Sequence, residues 1–310
     1  MRILFYSQTD DPAKWLPALA AALPEADLRA WQEGDNDPAD YALVWKPPAA
    51  MLQGRSDLKG IFNLGAGVDA ILQMEDALPA GVPVIRLDDA GMAIQMAEYV
   101  THAVLRYYRR FDLLDDRARA GEWRRDVRPF QKSDFPVGIL GLGVLGAKVA
   151  QALLPFGFPL RGWSRSSKEV PGVECYAGDA GLDAFLRSTR VLVCMLPLTS
   201  STDGILNRAN LQKLNAGAYL VNVARGAHLV EEDLLALIDE GHVAGATLDV
   251  FRTEPLPKDH PFWTEPRITV TPHVAAFTLL DESVRQIAGK IRVLQRGEPV
   301  AGIVDRMKGY

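Results

Sequence analysis

Short apolar runs alternate with amphipathic stretches along most of this chain, and the pattern predicts parallel α/β structure. In the first third of the sequence, apolar runs that predict strands flank a stretch at 13–23 with helical spacing. The runs cover residues 2–7, 41–47, 60–67 and 82–87. Strands that alternate with helical or loop segments are typical of a small unit built on a parallel sheet.

Two long stretches poor in turn residues predict helices at 92–119 and 279–297. Between them, β-rich segments separated by helical ones predict a six-stranded, doubly wound sheet, with strands at 137–141, 158–163, 190–194, 218–223, 244–248 and 267–271. The predicted fold class is therefore α/β with two doubly wound parallel-sheet domains. A dinucleotide-binding domain over 94–279 is inserted in a substrate-binding domain made of 1–93 and 280–310.

Composition narrows the class of protein without changing this picture. The chain is 48% hydrophobic and 24% charged, which is ordinary for a globular protein in water. Its net charge of -5 argues against a general nucleic-acid or membrane partner, and no apolar run approaches the ~18 residues of a membrane span. The N-terminus lacks the apolar core of a signal peptide, and Cys175 and Cys194 form no metal or disulfide pattern. We expect a cytoplasmic protein without a metal site.

The segment VGILGLGVLG places glycines at Gly141, Gly143 and Gly146, directly after an apolar strand and before a helix. In that context the spacing predicts a dinucleotide-binding loop. Gly141 permits the tight turn, Gly143 lets a pyrophosphate approach the backbone, and Gly146 lets the helix pack on the strand. The alternative is an ordinary strand-to-helix turn that happens to contain three glycines.

The end of the second strand of that domain indicates which nucleotide is bound. NAD-binding proteins usually carry a carboxylate there, about 20 residues after the glycines, but this sequence reads Ser164, Arg165, Ser166. A cation and hydroxyls suit the 2'-phosphate of NADP. The sequence favours NADP(H), with NAD(H) as the weaker alternative, unless Arg165 and Lys168 are only solvated surface cations.

Three polar residues follow predicted strands of the same domain: Arg225, Glu254 and His273. Ligands of an open α/β sheet bind at this edge. Each residue has an ordinary alternative, as a surface ion pair, a turn residue or a helix cap. Together they suit reduction of a 2-keto acid: His273 donates the proton, Glu254 orients the imidazole and keeps it charged, and Arg225 polarises the carbonyl and clamps the carboxylate.

With these motifs in this order, the whole chain resembles the D-isomer-specific 2-hydroxyacid dehydrogenase family. The glycine loop, the arginine of "ARG" at Arg225, the glutamate of "EPLP" at Glu254 and the histidine of "PH" at His273 match the family residue by residue. The resemblance implies a Rossmann-type coenzyme domain inserted in a flavodoxin-like substrate domain, an active-site cleft between the two, and a homodimer joined through the coenzyme domains.

The resemblance also implies further site residues. Besides those already named, the residues expected at the cofactor are Val144, Leu145, Leu196, Pro197, Thr202, Val223, Ala224 and Asp249. Asp249 could instead hold the site or simply end its strand. The loop NLGAGVD is similar to the family loop that offers backbone N–H groups to the substrate carboxylate, here Ala66 and Gly67. Together with Arg225 and His273, these two residues and Trp45 are the expected substrate-binding residues.

Within the family, Trp45, Tyr99 and the segment WSRS resemble the glyoxylate/hydroxypyruvate reductase group. The resemblance implies NADPH-dependent reduction of small 2-keto acids, with Trp45 limiting substrate size unless it is a core residue. A reductase of larger 2-keto acids such as phenylpyruvate stays open. A nucleotide-sensing corepressor is a third hypothesis, which the complete catalytic set and the lack of long tails argue against. Among the remaining histidines, we expect His228 to point away from Arg225.

Overall fold

The protein is described here by a computed structural model that covers residues 1–309. The chain forms two compact units. The terminal unit consists of Met1–Met92 and the residues from Thr278 onward, and the central unit is Ala93–Phe277. Among the 309 described residues, no helix has the length and apolar character needed to cross a membrane.

Every strand of both units pairs in parallel. The terminal unit contains β1 Arg2–Ser7, β2 Asp27–Ala30, β3 Tyr41–Trp45, β4 Gly60–Asn63 and β5 Val84–Arg86. The central unit contains β6 Val137–Leu140, β7 Leu160–Ser164, β8 Glu174–Ala177, β9 Val191–Cys194, β10 Ala218–Asn222, β11 Val243–Leu248 and β12 Ile268–Val270. Most central strands are continuous apolar runs because helices cover both faces of a parallel sheet.

The strand orders confirm the predicted fold class. The terminal sheet runs β2-β1-β3-β4-β5, which is the flavodoxin-like order. The central sheet runs β12-β11-β10-β9-β6-β7-β8, in which the six strands from β6 to β11 have the Rossmann order and β12 extends the edge. In both sheets the order reverses beside the first strand, so loops at the carboxyl ends of the central strands surround a crevice.

Ten helices connect the strands of the described chain: α1 Pro12–Ala22, α2 Ala49–Leu52, α3 Asp69–Leu72, α4 Met92–Tyr108, α5 Phe111–Arg119, α6 Val144–Leu153, α7 Gly178–Arg187, α8 Arg208–Leu211, α9 Glu231–Asp239 and α10 Leu280–Gln295. α1 begins where the carboxylate of Asp11 accepts a hydrogen bond from the N–H of Ala13, 2.9 Å away. α10 buries Val284, Ile287 and Ile291, a helical spacing that forms one apolar face, and it packs against α1.

The single helix predicted over 92–119 is wrong. The chain leaves the helical conformation between α4 and α5, where Arg110 has a left-handed φ of 59°. The guanidinium of Arg110 lies 5.1 Å from the centre of the Phe130 ring, a contact outside the two helices that a straight helix would not make. No glycine or proline marks the break, so the local sequence carries no signal for it.

The predicted count of six strands in the central sheet is also wrong, because the sheet has seven. The additional strand, β8, lies at one edge, and β2 lies unpredicted at an edge of the other sheet. Both are four residues long and polar at their first position. Edge strands of this kind are defined by pairing with a buried neighbour rather than by their own hydrophobic pattern.

Candidate active site

The glycine loop joins β6 to α6, and protein atoms explain two of its three glycines. Gly141 has a φ of +115°, and a Cβ there would lie 2.8 Å from the backbone carbonyl of Met195. A Cβ on Gly146 would lie 1.9 Å from the carbonyl oxygen of Gly141. These two positions therefore require glycine for the turn and for helix packing, as the sequence predicted.

Gly143 is different, because a Cβ there would meet no atom of the described chain within 4 Å. It lies at the N-cap of α6, and no side chain accepts hydrogen bonds from the first turn of that helix. Val144, which is exposed, and Leu145, which is half-exposed, lie in that turn. A helix N-terminus with uncapped N–H groups and an open glycine surface fits a pyrophosphate, so the chain's own residues are compatible with a dinucleotide here.

The residues after β7 form a short polar turn next to the glycine loop. Ser164 is buried, and its hydroxyl donates to the carbonyl of Ser166 at 2.8 Å, while Arg165 is exposed. The Lys168 ammonium donates to the carbonyl of Leu142 in the glycine loop at 2.7 Å. Lys168 is therefore held against the loop and is not simply solvated, and it adds positive charge beside a site for anions.

The segment after β9 also contacts the glycine loop, through Met195. Leu196 is buried, and Pro197 is exposed but has its carbonyl engaged. The hydroxyl of Thr202 donates to that carbonyl at 2.7 Å and accepts from the N–H of Thr199 at 2.9 Å. Thr202 thus closes a turn that fixes the backbone of the predicted cofactor segment.

Arg225 lies in the loop after β10, which buried polar side chains hold in place. The amide of Asn222 donates to the Arg225 carbonyl at 3.0 Å and accepts from the N–H of Ala224 at 3.2 Å. The guanidinium of Arg225 donates to the Ala224 carbonyl at 2.8 Å. Val223 and Ala224 are themselves buried, so the loop follows directly from the core of the sheet.

The expectation that His228 points away from Arg225 is wrong. Its imidazole is fully buried, and Nδ1 accepts from the N–H of Arg225 at 3.2 Å. Nε2 lies 3.3 Å from the carbonyl oxygen of Pro197. Nδ1 also lies 3.1 Å from the carbonyl oxygen of Arg225, so the ring contacts both polar groups of the Arg225 backbone. The turn at 226–228 is a 3₁₀ turn, tighter than the connection we expected, and this geometry brings the ring back onto Arg225.

Gly226 packs against the segment that carries Glu254. A Cβ on Gly226 would lie 1.8 Å from the carbonyl carbon of Phe251. The N–H of Phe251 donates to Oε1 of Glu254 at 3.1 Å. The close backbone approach therefore brings the Arg225 loop next to the segment that orients Glu254.

Glu254 and His273 are joined by a hydrogen bond, with 2.8 Å between Oε2 and Nδ1. Partial burial raises the pKa of Glu254, but the hydrogen bonds from His273 and Phe251, with attraction to His273 and Arg225, outweigh it and lower the pKa overall. Glu254 is therefore ionised at neutral pH. Because Nδ1 faces the carboxylate, Nε2 of His273 is the nitrogen left for a substrate.

His273 has a φ of 57°, a conformation that costs a non-glycine residue about 1–3 kcal/mol. Asp249, which is buried at the end of β11, stabilises it. Its carboxylate accepts from the N–H groups of Val274 and Ala275, each at 2.8 Å, and from the Thr271 hydroxyl at 2.6 Å. Asp249 thus holds the histidine loop, the alternative that the sequence had left open, and its prediction as a cofactor residue stays a prediction.

Tyr99 of α4 extends this network. Its hydroxyl lies 2.5 Å from the Thr271 hydroxyl, and burial raises the pKa of Tyr99 to about 12. The phenol therefore stays neutral. Tyr99, Thr271 and Asp249 form one chain of hydrogen bonds that ends at the backbone of the His273 loop.

The remaining predicted residues belong to the terminal unit. Trp45 ends β3 half-buried, and its indole lies against Gly65, where a Cβ would be 2.6 Å from Cζ3. Ala66 and Gly67 are half-buried in the loop after β4. The amide of Asn63 donates to the carbonyls of Gly65 and Gly67.

Within the central unit, the structure brings Arg225, Glu254 and His273 to the edge of the sheet where the glycine loop also lies. Sequence reasoning missed the side chains that hold them, namely Asn222, His228 and Thr271. Asn222 and Thr271 stand at or just after strand ends, a position that could have drawn attention to them. His228 has no local signal.

Comparison with known proteins identifies the family. Residues 101–275 match the family model for the NAD binding domain of D-isomer specific 2-hydroxyacid dehydrogenases. Over its whole length, the chain is 53% identical to glyoxylate/hydroxypyruvate reductase A of Serratia proteamaculans, of which it covers 100%. It is 52% identical to the protein of the same name from Citrobacter koseri, again over 100% of both chains.

Solved structures agree with the sequence matches. A D-isomer specific 2-hydroxyacid dehydrogenase from Xanthobacter autotrophicus, in complex with NADPH and MES, superimposes with a TM-score of 0.94 at 43% identity, covering 100% of this chain and 99% of that one. An NADPH-dependent glyoxylate/hydroxypyruvate reductase from Sinorhizobium meliloti, in complex with NADP and sulfate, gives 0.92 at 37% identity with the same coverage.

Proposed function

Because the chain belongs to the D-isomer specific 2-hydroxyacid dehydrogenase family, we propose that it is an NADPH-dependent reductase of small 2-keto acids. Its reactions are glyoxylate to glycolate and hydroxypyruvate to D-glycerate. The observation that carries this proposal is the 2.8 Å pair of Glu254 and His273 at the sheet edge that also holds Arg225 and the glycine loop. Relatives with the corresponding names match the chain end to end.

His273 acts as the general acid. When NADPH is bound, it supplies the hydride that reaches the carbonyl carbon. Negative charge then develops on the carbonyl oxygen, and His273 gives that oxygen the proton on Nε2. Glu254, ionised and bonded to Nδ1, fixes the ring orientation throughout the transfer, so that Nε2 faces the substrate.

Arg225 polarises the same carbonyl and binds the carboxylate. A guanidinium offers a planar fork of donors that matches a carboxylate and the oxygen beside it. Its backbone is held by Asn222 and His228, so little reorganisation is needed when the substrate binds. In the terminal unit, we assign Ala66 and Gly67 to the substrate carboxylate and Trp45 to the limit on substrate size.

Ser164, Arg165 and Ser166 select NADPH in this proposal. No carboxylate stands in that turn to repel a 2'-phosphate, and Lys168 adds a cation at the neighbouring loop. Relatives have been solved with NADPH or NADP bound. NAD(H) is expected to bind more weakly, because it lacks the phosphate that this cationic turn favours.

We also propose that the protein is a cytoplasmic homodimer joined through the central unit. That unit exposes the large apolar side chains of Trp123 and Phe111, at 93% and 44%, which contact with a second copy would cover. Both cysteines are free, which suits a reducing compartment. We expect no nucleic-acid or membrane partner at a net charge of -5.

The test is NADPH oxidation, followed at its absorbance, across glyoxylate, hydroxypyruvate, pyruvate, phenylpyruvate, oxaloacetate and ketopantoate, with NADH run in parallel. We expect the highest kcat/KM with glyoxylate and hydroxypyruvate. Preference for phenylpyruvate would keep the mechanism and overturn the role of Trp45. An absence of turnover with every substrate would contradict the proposal and favour a binding protein.

Two variants test the assigned roles of His273 and Arg165 in the same assay. His273→Ala should lose most of kcat, roughly the 10²–10⁴-fold that a general acid contributes. Arg165→Ala should raise KM for NADPH far more than KM for NADH. Equal losses with both cofactors would contradict the 2'-phosphate assignment.

A further inference from the structure

Asn63 is a buried polar residue to which the proposed mechanism gives no role. It is the last residue of β4, and its side chain is 2% exposed. Nδ2 lies 2.9 Å from the carbonyl oxygens of both Gly65 and Gly67. Carbonyl oxygens only accept, so the side chain must present its NH₂ group to them. Both hydrogens of the Asn63 side-chain amide are therefore donated to carbonyls of the loop that follows β4.

These two bonds fix the directions of the neighbouring N–H groups. In a planar trans peptide, the carbonyl of one residue and the N–H of the next point in opposite directions. The loop peptides are trans, because the cis bond of the described chain is Glu254–Pro255. The held carbonyl of Gly65 therefore turns the N–H of Ala66 away from Asn63. The N–H of Gly67 lies in the peptide between the two that are held.

No hydrogen bond within the described chain uses the N–H of Ala66 or Gly67. Both residues are half-buried, so these donors are partly withdrawn from water. A protein normally satisfies such groups, and a bound anion is one way to do so. The loop thus combines fixed carbonyls on one side with available donors on the other.

Trp45 restrains the same loop by packing. A Cβ on Gly65 would lie 2.6 Å from Cζ3 and 3.0 Å from Cη2 of the indole. The ring is therefore in van der Waals contact with the backbone of Gly65, the residue whose carbonyl Asn63 holds. Asn63 and Trp45 therefore both restrain the backbone of this loop.

We propose that Asn63 is a positioning residue for the substrate carboxylate. It touches no substrate atom and acts through the held carbonyls of Gly65 and Gly67, which direct the N–H groups of Ala66 and Gly67. This inference rests on the proposed function, since the loop's role in binding a 2-keto acid is part of that proposal. The competing role is structural, in which Asn63 only satisfies two buried carbonyls.

The two roles predict different kinetics. A carboxylate is bound in both ground and transition states, so a misaimed loop raises KM and changes kcat little. We expect Asn63→Leu, which keeps the volume but has no donor, to raise KM for glyoxylate roughly tenfold, the worth of about one hydrogen bond to a charged group. Asn63→Asp, which presents only acceptors to the two carbonyls, should raise it further. KM for NADPH should stay unchanged in both.

Ser283→Ala is the matched control. Ser283 is fully buried in the same unit, and its hydroxyl also donates to a backbone carbonyl, that of Leu279 at 2.6 Å. We expect that variant to lose some thermal stability with an unchanged KM. If Asn63→Leu behaves like Ser283→Ala, with a lower Tm and the wild-type KM, Asn63 supports only the fold and the inference is wrong.

Amide NMR of the wild-type protein tests the inference without variants or turnover. Oxamate, a 2-keto acid analogue that is not reduced, is added to the protein with NADP⁺. We expect the amide resonances of Ala66 and Gly67 to shift, and the shifts to be lost in Asn63→Leu or, if that variant does not fold, in Asn63→Ser. Unshifted amides in an active enzyme overturn the inference alone. Shifted amides without turnover of any 2-keto acid overturn the proposed function instead.

Discussion

The loops after β4 and β10 begin alike and are held differently. Each follows an asparagine that ends a buried parallel strand, Asn63 in one sheet and Asn222 in the other. Asn63 donates twice to its own loop, and Gly65 of that loop packs against the indole of Trp45. Asn222 both donates and accepts, and the buried His228 holds the Arg225 N–H as well.

The second difference concerns what lies against each loop. Gly226 meets the backbone of Phe251, whereas Gly65 meets the far end of the Trp45 side chain. Backbone atoms cannot move without moving a whole segment, while a side chain can change its rotamer. The loop that carries the proposed catalytic arginine is therefore built into its surroundings, and the proposed carboxylate loop keeps some adaptability.

The largest effect should come from Gly226→Ala. The new Cβ would lie 1.8 Å from the Phe251 carbonyl carbon, so the Arg225 loop and the Glu254 segment must separate. We expect a loss of about 1–3 kcal/mol in the free energy of unfolding and of about 100-fold or more in kcat/KM. Denaturant unfolding and steady-state kinetics check both.

Gly289→Ala is the control for Gly226→Ala, because no atom lies within 4 Å of its Cβ position in α10. It should be neutral or stabilising by up to about 1 kcal/mol, as alanine is favoured over glycine in a helix. Wild-type kinetics for Gly226→Ala would show that the β10 loop is as adaptable as the β4 loop.

The next largest effect should come from His228→Leu. It leaves the N–H of Arg225 and the carbonyl of Pro197 without the imidazole, at a cost of about 1–3 kcal/mol for buried unsatisfied groups. We expect kcat/KM for glyoxylate to fall about tenfold or more and KM for NADPH to rise, measured by steady-state kinetics. His242→Leu, which removes an imidazole bonded to the Leu211 carbonyl, should leave both values unchanged.

Gly65→Ala should raise KM for glyoxylate by a smaller factor, and Trp45→Leu should relieve part of that increase. Its Cβ would press on Trp45 at 2.6 Å, so the indole must move. We expect KM for glyoxylate to rise about fivefold, near the lower end of overpacking costs. Trp45→Leu removes the indole that the new methyl group would meet. The double variant should therefore raise KM for glyoxylate by less than the two single effects combined. Additive effects in the kinetic cycle would mean that Trp45 does not restrain the loop.

The smallest effect concerns pH. The pKa of Glu254 is lowered in the folded protein, so its pair with His273 stabilises the fold above the usual value of 4.5 and loses that contribution as the pH falls through the lower folded value. Both side chains are over a third exposed, 35% and 45%, so the contribution is under about 1 kcal/mol.

The Tm difference between wild type and Glu254→Gln should therefore shrink as the pH falls below 4.5, measured by calorimetry. The amide of Asn63 does not titrate, so the Tm difference for Asn63→Leu should stay constant over the same range. A constant difference for Glu254→Gln as well would mean that charge contributes nothing to the pair.

The α/β class, the two parallel sheets and the residues that gather at one sheet edge could all be predicted from the amino-acid sequence. Apolar runs between helical stretches and a glycine spacing are local patterns, and parallel strands place all their carboxyl ends on one side. Arg225, Glu254 and His273 could be chosen because each follows such a run. Polarity at the end of an apolar strand is visible without any partner.

The contacts that hold those residues could not be predicted, because they form only when the chain is folded. The break at Arg110, the edge strands β2 and β8, and the inward turn of His228 depend on partners distant in sequence. Asp249 meets Ala275, 26 residues away, because β11 pairs with β12. Hydrogen-bond donors and acceptors are common along any chain. The type of a residue therefore does not show which donor will pair with which acceptor. Strand order and loop conformation make that choice, and they brought Asn63 to the carbonyls of Gly65 and Gly67.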